Sequence, residues 1–170
     1  MFRISQYMEE IAHPTPLGEK RNPPGPVVIW NLIRRCNLTC KHCYSISADK
    51  DFPGELSTQE IHGVMDDLKH FRVPVLILSG GEPLLRPDIF EIARRAKGMG
   101  FYVGLSSNGT LIDEGNIRRI AETDFDYVGV SLDGIRETHD KFRRMKGAFE
   151  KSLHGIRLCR DAGLKIGVRF

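Results

Sequence analysis

Five short apolar runs recur along the chain, at Val27–Ile33, Val73–Leu78, Phe101–Leu105, Tyr127–Leu132 and Lys165–Phe170. Each is rich in Val, Ile and aromatic residues and is bounded by Gly, Pro or Asn, which is how a strand reads. Near-continuous apolar runs suit strands buried on both faces of a parallel sheet. Helical patterns fill the gaps. Ser57-Thr58-Gln59-Glu60 is a capping box opening a helix through about His70, with Ile61, Val64, Met65 and Leu68 on one face. Arg86-Pro87-Asp88 precedes a second helix carrying Ile89, Ile92, Ala93 and Ala96 and stopping near Gly98. Ile117–Ala121 supports a third, and a fourth runs from about Ala148 to Ala162, ended by Gly163. This rhythm of strand and helix makes an α/β protein, either most of a (β/α) barrel or an open α/β sheet.

The rhythm begins only at Val27. Before it, residues 1–26 read as an N-terminal extension: an amphipathic piece from Ile4 to Ile11, then a linker with Pro14, Pro16, Pro23, Pro24 and Pro26. Proline at that density fixes φ and removes donors, so the linker is expected to be extended and irregular. Residues 27–170 form the core domain, and 170 residues suffice to bury one. The last run stops inside the fifth strand, where a sheet partner is missing, so the chain is expected to be a fragment truncated in or after that strand.

Charge narrows the function classes. The formal net charge is +3, from 25 basic against 22 acidic residues interspersed along the chain. No basic block or aromatic-interleaved basic stripe points to nucleic acid. No apolar run is long enough to span a membrane, and the first ten residues lack the apolar stretch of a signal peptide. Free cysteines clustered in one loop suit a reducing compartment, and a cytoplasmic location is expected.

Those cysteines are the strongest chemical signal. Cys36, Cys40 and Cys43 stand at Cys-x3-Cys-x2-Cys directly after the first apolar run. Three thiolates on one loop can hold three irons of a [4Fe-4S] cluster and leave the fourth iron open to a small molecule. Structural zinc asks for four ligands, usually as two separated pairs, and His42 abuts Cys43 too closely to complete such a set. A redox Cys-x-x-Cys pair of Cys40 and Cys43 leaves Cys36 without a role. Cys159 stands apart, beside Leu158 in a helical pattern.

Further polar motifs follow the later strands, at the end of the sheet where parallel α/β folds bind ligands. Ser79-Gly80-Gly81-Glu82-Pro83 follows the second run: the glycines allow positive φ and close approach to a ligand, and Glu82 offers a carboxylate to an ammonium group. Ser106-Ser107-Asn108-Gly109 ends the third run and Ser131-Leu132-Asp133-Gly134 the fourth. Hydroxyls, amides and carboxylates there can bond a ribose, although Asn-Gly and Asp-Gly are also ordinary turn dipeptides. In His139-Asp140-Lys141-Phe142-Arg143-Arg144 an arginine could fork onto a carboxylate, with Arg144 read as solvated surface.

Taken together, Cys36-x3-Cys40-x2-Cys43, Gly80-Gly81-Glu82-Pro83 and Ser131-x-Asp133-Gly134 resemble the radical S-adenosylmethionine (SAM) enzymes, over residues 27–170. The resemblance implies a partial (β/α) barrel, a [4Fe-4S] cluster held by Cys36, Cys40 and Cys43, and SAM chelating the open iron. Cleavage of SAM would yield a 5′-deoxyadenosyl radical that takes hydrogen from a substrate. Carried over residue by residue, His42 matches the position packing on the adenine. Gly80, Gly81 and Glu82 match the element receiving the methionine amino group, Ser131 the ribose ligand and Arg143 the residue on the carboxylate side. Asn108 and Asp133 join them as cofactor-binding candidates. The first residues and Pro24-Gly-Pro-Val-Val-Ile-Trp-Asn resemble tetrapyrrole-modifying members acting in haem d1 biosynthesis. That implies a sirohaem-derived tetrapyrrole substrate and an electron donor such as flavodoxin or ferredoxin. Decarboxylating enzymes of the alternative haem pathway and peptide-modifying enzymes stay open beside it. So do a non-catalytic iron–sulfur module and an inactive remnant.

Overall fold

The computed structural model describes residues 25–169. The amphipathic piece expected at Ile4–Ile11 and nearly all of the proline-rich linker lie outside that range. Five strands form one sheet: β1 (Val27–Asn31), β2 (Val75–Ser79), β3 (Tyr102–Ser107), β4 (Tyr127–Ser131) and β5 (Ile166–Arg169). Every neighbouring pair is parallel, and spatial order follows chain order, β1-β2-β3-β4-β5. Right-handed crossovers in an unreversed order place all the helices on one face, as in a barrel. A doubly wound sheet would reverse its order part-way.

The helices are α1 (Thr58–His70), α2 (Ile89–Gly98), α3 (Ile117–Glu122), α4 (Glu137–Arg143) and α5 (Ala148–Asp161). The capping box at α1 is complete: the Ser57 hydroxyl accepts from Glu60 N–H, and the Glu60 carboxylate accepts from Ser57 N–H. A 3-10 turn, Pro83–Leu85, follows β2. Two helices, not one, connect β4 to β5. The extra one, α4, has no apolar period to betray it, because its buried positions are His139 and Arg143, spaced i, i+4 on one face. Its Asp140 carboxylate accepts from Gly147 N–H at 2.6 Å and Phe149 N–H at 2.9 Å, so one helix caps the next.

The expectation of strands buried on both faces holds only mid-sheet, where Gly104 and Gly129 are buried too, and fails at the edge strand β1. Leu76, Leu78, Val103, Leu105, Val128 and Val130 alternate toward the helices and pack with Ile61, Met65, Ile89, Ile92, Ala96 and Ile120 in the core. The other face carries Val27 and Ile29, 60% and 64% exposed, then Gly104, Gly129 and the serines at the strand ends. One layer of helices can cover only one face. The face that no described helix covers is where the polar motifs gather. Among the described residues no helix is long and apolar enough to cross a membrane.

Candidate functional site

The loop after β1 and the loop after β2 run side by side. Leu32 N–H donates to the Ser79 carbonyl at 2.9 Å, Gly81 N–H to Ile33 at 2.6 Å and Glu82 N–H to Arg35 at 2.9 Å. This zipper leaves no room for side chains at the two glycines. A Cβ on Gly80 would stand 2.3 Å from the Ile33 carbonyl oxygen, and one on Gly81 would stand 2.4 Å from that of Arg35. Gly80 also holds φ at +151°. The close approach that demands glycine is therefore between two loops of the protein itself, which fixes the glycine backbone beside the cysteines.

At the mouth of the sheet lies a cavity of about 420 Å³, within the usual range for small-molecule sites. Cys36, Cys40, Cys43, His42, Gly80, Gly81, Asn108, Ser131, Asp133 and Arg143 all line it. Glu82 does not. Its side chain is fully buried behind the wall, where the Ser107 hydroxyl donates to its carboxylate at 2.9 Å, Asn108 N–H at 2.8 Å and Leu84 N–H at 3.2 Å. The carboxylate expected to face an ammonium group instead clamps β2's loop to the end of β3. Burial lifts its pKa to about 7, against the downward pull of those hydrogen bonds and of Arg143.

Each thiol in the loop meets a donor. Cys36 Sγ accepts from Leu38 N–H at 3.4 Å and from the Asn108 amide at 3.8 Å. Cys40 Sγ accepts from Arg143 Nη1 at 3.6 Å, and Cys43 Sγ lies 3.3 Å from the Ser45 hydroxyl. Burial pushes Cys36 up to about 11 and raises Cys40 against the pull of Arg143. Burial opposes Cys43 too, yet hydrogen bonds from Ser45 and Ser47 outweigh it and bring that thiol down to about 7. Cys159 is buried in the core and pushed up to about 11 by burial alone.

The far side of the cavity is an ionic cluster. Arg143 Nε stands 2.6 Å from Asp133 Oδ2, an ion pair whose N–H is not aimed along the contact. The other Asp133 oxygen lies 3.5 Å from His42 Nε2. His42 is half exposed, tilted against Phe142 with ring centroids 5.6 Å apart. Asp133 N–H donates to His139 Nδ1 at 3.1 Å, which puts the imidazole proton on Nε2. Burial and then the Arg143 charge hold His139 below the usual histidine range, so it is neutral at pH 7.

Residues 30–170 match the family model described as the Radical SAM superfamily. The chain belongs to the radical SAM superfamily. Over all of its 170 residues it is 53% identical to the pre-heme d1 synthase of Dinoroseobacter shibae, of which it covers 42%. Over 145 residues, 85% of the chain, it is 52% identical to the Fe-coproporphyrin III synthase of Methanosarcina barkeri, covering 36% of that protein. It spans less than half the length of either relative. Its fold is similar to that of SuiB from Streptococcus suis bound to S-adenosylmethionine, with a TM-score of 0.72 at 15% identity over 85% of this chain and 34% of the other.

The superfamily's cofactors are a [4Fe-4S] cluster and SAM, and the donors present suit them. Among the described residues no three His, Cys, Asp or Glu side chains converge on a single ion. A cluster asks for something else: three thiolates each addressing its own iron, with N–H and O–H donors on the sulfurs. The three cysteines have such donors. The sequence did not single out Ser45 and Ser47, which tune Cys43, or Arg169, which lines the cavity. Ser106, Ser107 and His139 stand in motifs it did single out, but Ser107 holds Glu82 and His139 holds the Asp133 backbone, roles those motifs did not indicate. The one available signal was Arg169, a lone cation ending an apolar strand.

Proposed function

We propose that this chain is the core of a radical SAM enzyme acting on a sirohaem-derived tetrapyrrole in haem d1 biosynthesis. Cys36, Cys40 and Cys43 hold the cluster, and the Gly80–Gly81 backbone receives the methionine amino group. Glu82 acts from behind as a positioning residue. Ser131 and Asn108 take the polar face of the nucleoside, His42 packs on its base, and Arg143 with Asp133 orders the carboxylate side. Bound there, the two cofactors supply one-electron cleavage of a carbon–sulfur bond. The protein's share is to hold the thiolates, orient the amino acid group and keep water from the reacting atoms.

The observation that carries this reading is the convergence of ten of the eleven expected residues, the three thiols among them, on one cavity. The substrate class is supported by the names of the two relatives above, both of tetrapyrrole chemistry. In this reading residues 1–26 are an extension to a core over 27–170, the protein is cytoplasmic, and a flavodoxin or ferredoxin supplies the electron. Reconstituted anaerobically with iron and sulfide, the protein is expected to bind about four irons. Cys36→Ala, Cys40→Ala and Cys43→Ala each abolish that, whereas Cys159→Ala keeps it. Added SAM changes the electron paramagnetic resonance (EPR) spectrum of the reduced cluster. Full iron content in any of the first three variants, or an unchanged spectrum, would overturn the assignment.

A further inference from the structure

On the face of the sheet that no described helix covers, the strands carry small residues toward their C-terminal ends, and one long cation lies across them. Arg169 of β5 pairs in register with Ser131 of β4. Its guanidinium does not rise toward the cysteine loop. It folds back one row along the sheet, where Nη2 donates to the Gly129 carbonyl at 3.1 Å and to the Ser106 hydroxyl. Both acceptors are neutral. The carboxylates nearest the cavity are already engaged, Asp133 by Arg143 and His42, and Glu82 by Ser107, Asn108 and Leu84. Arg169 Nε is buried with no hydrogen-bond partner among the described residues.

This posture is built. Gly129 is bare where the guanidinium lies, since a Cβ there would come within 2.9 Å of Arg169 Nε and 3.0 Å of Cζ. A guanidinium laid flat on glycine, lining a cavity and with no acidic partner among the described residues, presents donors in the fork geometry that matches a carboxylate. The guanidinium is part-buried, and withdrawing a charge from water without a counter-anion has a cost, so a ligand that brings one is favoured.

We infer that Arg169 receives a carboxylate of the substrate, an inference that rests on the tetrapyrrole reading above. SAM also carries a carboxylate, but one confined to the neighbourhood of the thiols. The cavity side chains that donate to Cys36 and Cys40 are Asn108 and Arg143. Arg169 touches neither sulfur and points a row deeper. Acidic arms at the edge of a flat macrocycle supply the anion at that depth.

The test uses the reconstituted, SAM-loaded protein, with sirohaem and its fully methylated ester as probes, followed by optical titration. The wild type is expected to bind the free acid more tightly than the ester. Arg169→Gln loses about tenfold to a hundredfold on the free acid, the size of a charged hydrogen bond, and little on the ester. Gly129→Ala, which keeps the charge but displaces it, loses the same preference. The SAM-induced EPR change stays as in the wild type in both variants. Loss of that change in Arg169→Gln, with acid binding kept, would assign Arg169 to the SAM carboxylate and overturn the inference. Equal wild-type affinity for acid and ester would also overturn it while leaving the tetrapyrrole reading intact. A wild type that binds neither probe would remove the tetrapyrrole reading and this inference with it.

Discussion

Cys36 and Cys43 lie in one loop, yet their surroundings push their thiols in opposite directions, to about 11 and about 7. The thiolate is the reactive form, so the metal-free protein has a built-in order of reactivity. At pH 7.5, timed alkylation followed by mass spectrometry is expected to label Cys43 first, with Cys36 and the core Cys159 far slower. Ser45→Ala removes a donor from Cys43 and slows its labelling. Equal rates at all three sites would contradict the geometry. Glu82 carries the other residue-scale prediction. Its folded pKa, about 7, lies above the ordinary 4.5, so the folded chain holds that proton longer than the unfolded one. The stability it contributes is complete below about pH 4.5 and is lost as pH rises through about 7, a loss on the order of 3 kcal/mol. Glu82→Gln stays neutral and lacks this slope. Urea titrations of the metal-free protein from pH 5 to 8 should show the variant gaining on the wild type as pH rises.

At the scale of elements, two glycines with opposite surroundings make a direct comparison. Gly81 sits in the zipper between the β1 and β2 loops, where an added Cβ meets carbonyl oxygens of Arg34 and Arg35 at 2.5 and 2.4 Å. Backbone atoms cannot swing aside as a side chain can. Gly81→Ala is expected to cost about 2–4 kcal/mol and to abolish the SAM-induced spectral change, because the loops must part. Gly63 lies mid-helix in α1 with open space around it. Gly63→Ala should stabilise the protein by about 0.5–1 kcal/mol through helix propensity alone. Chemical denaturation of both variants checks the pair, and a harmless Gly81→Ala would refute the zipper.

For the whole molecule, one buried side chain ties three parts together. Arg86, 7% exposed, donates to the Leu32 carbonyl after β1 at 2.9 Å and to the Leu56 carbonyl before α1 at 2.8 Å, and pairs with Asp88 at the start of α2. Arg86→Ala leaves two carbonyls without this donor and a largely buried carboxylate with only the Thr58 hydroxyl, a loss of about 3–5 kcal/mol by analogy with broken buried pairs. Thermal unfolding of the purified variant measures it, and a change below about 1 kcal/mol would show that water replaces the guanidinium freely.

The fold class was legible in the chain because apolar periodicity and capping residues act locally: among the described residues, all five strands and four of the five helices follow from runs such as Tyr127–Ser131 and the box at Ser57. The thiol triplet was legible for the same reason, since a cluster needs its three ligands close together and one loop supplies them. Helix α4 was hidden, because its buried face is a histidine and an arginine whose partners, Asp133 and Cys40, come from other loops. Glu82 read as a group facing a ligand, and packing turned it inward onto Ser107 and Asn108, 25 and 26 residues away. Arg169 gained a role only when β3 and β4 placed Ser106 and the bare Gly129 beneath it. Local spacing sets what a segment can form. Burial, charge and the direction of a polar side chain depend on neighbours distant in sequence, and those come together only when the sheet assembles.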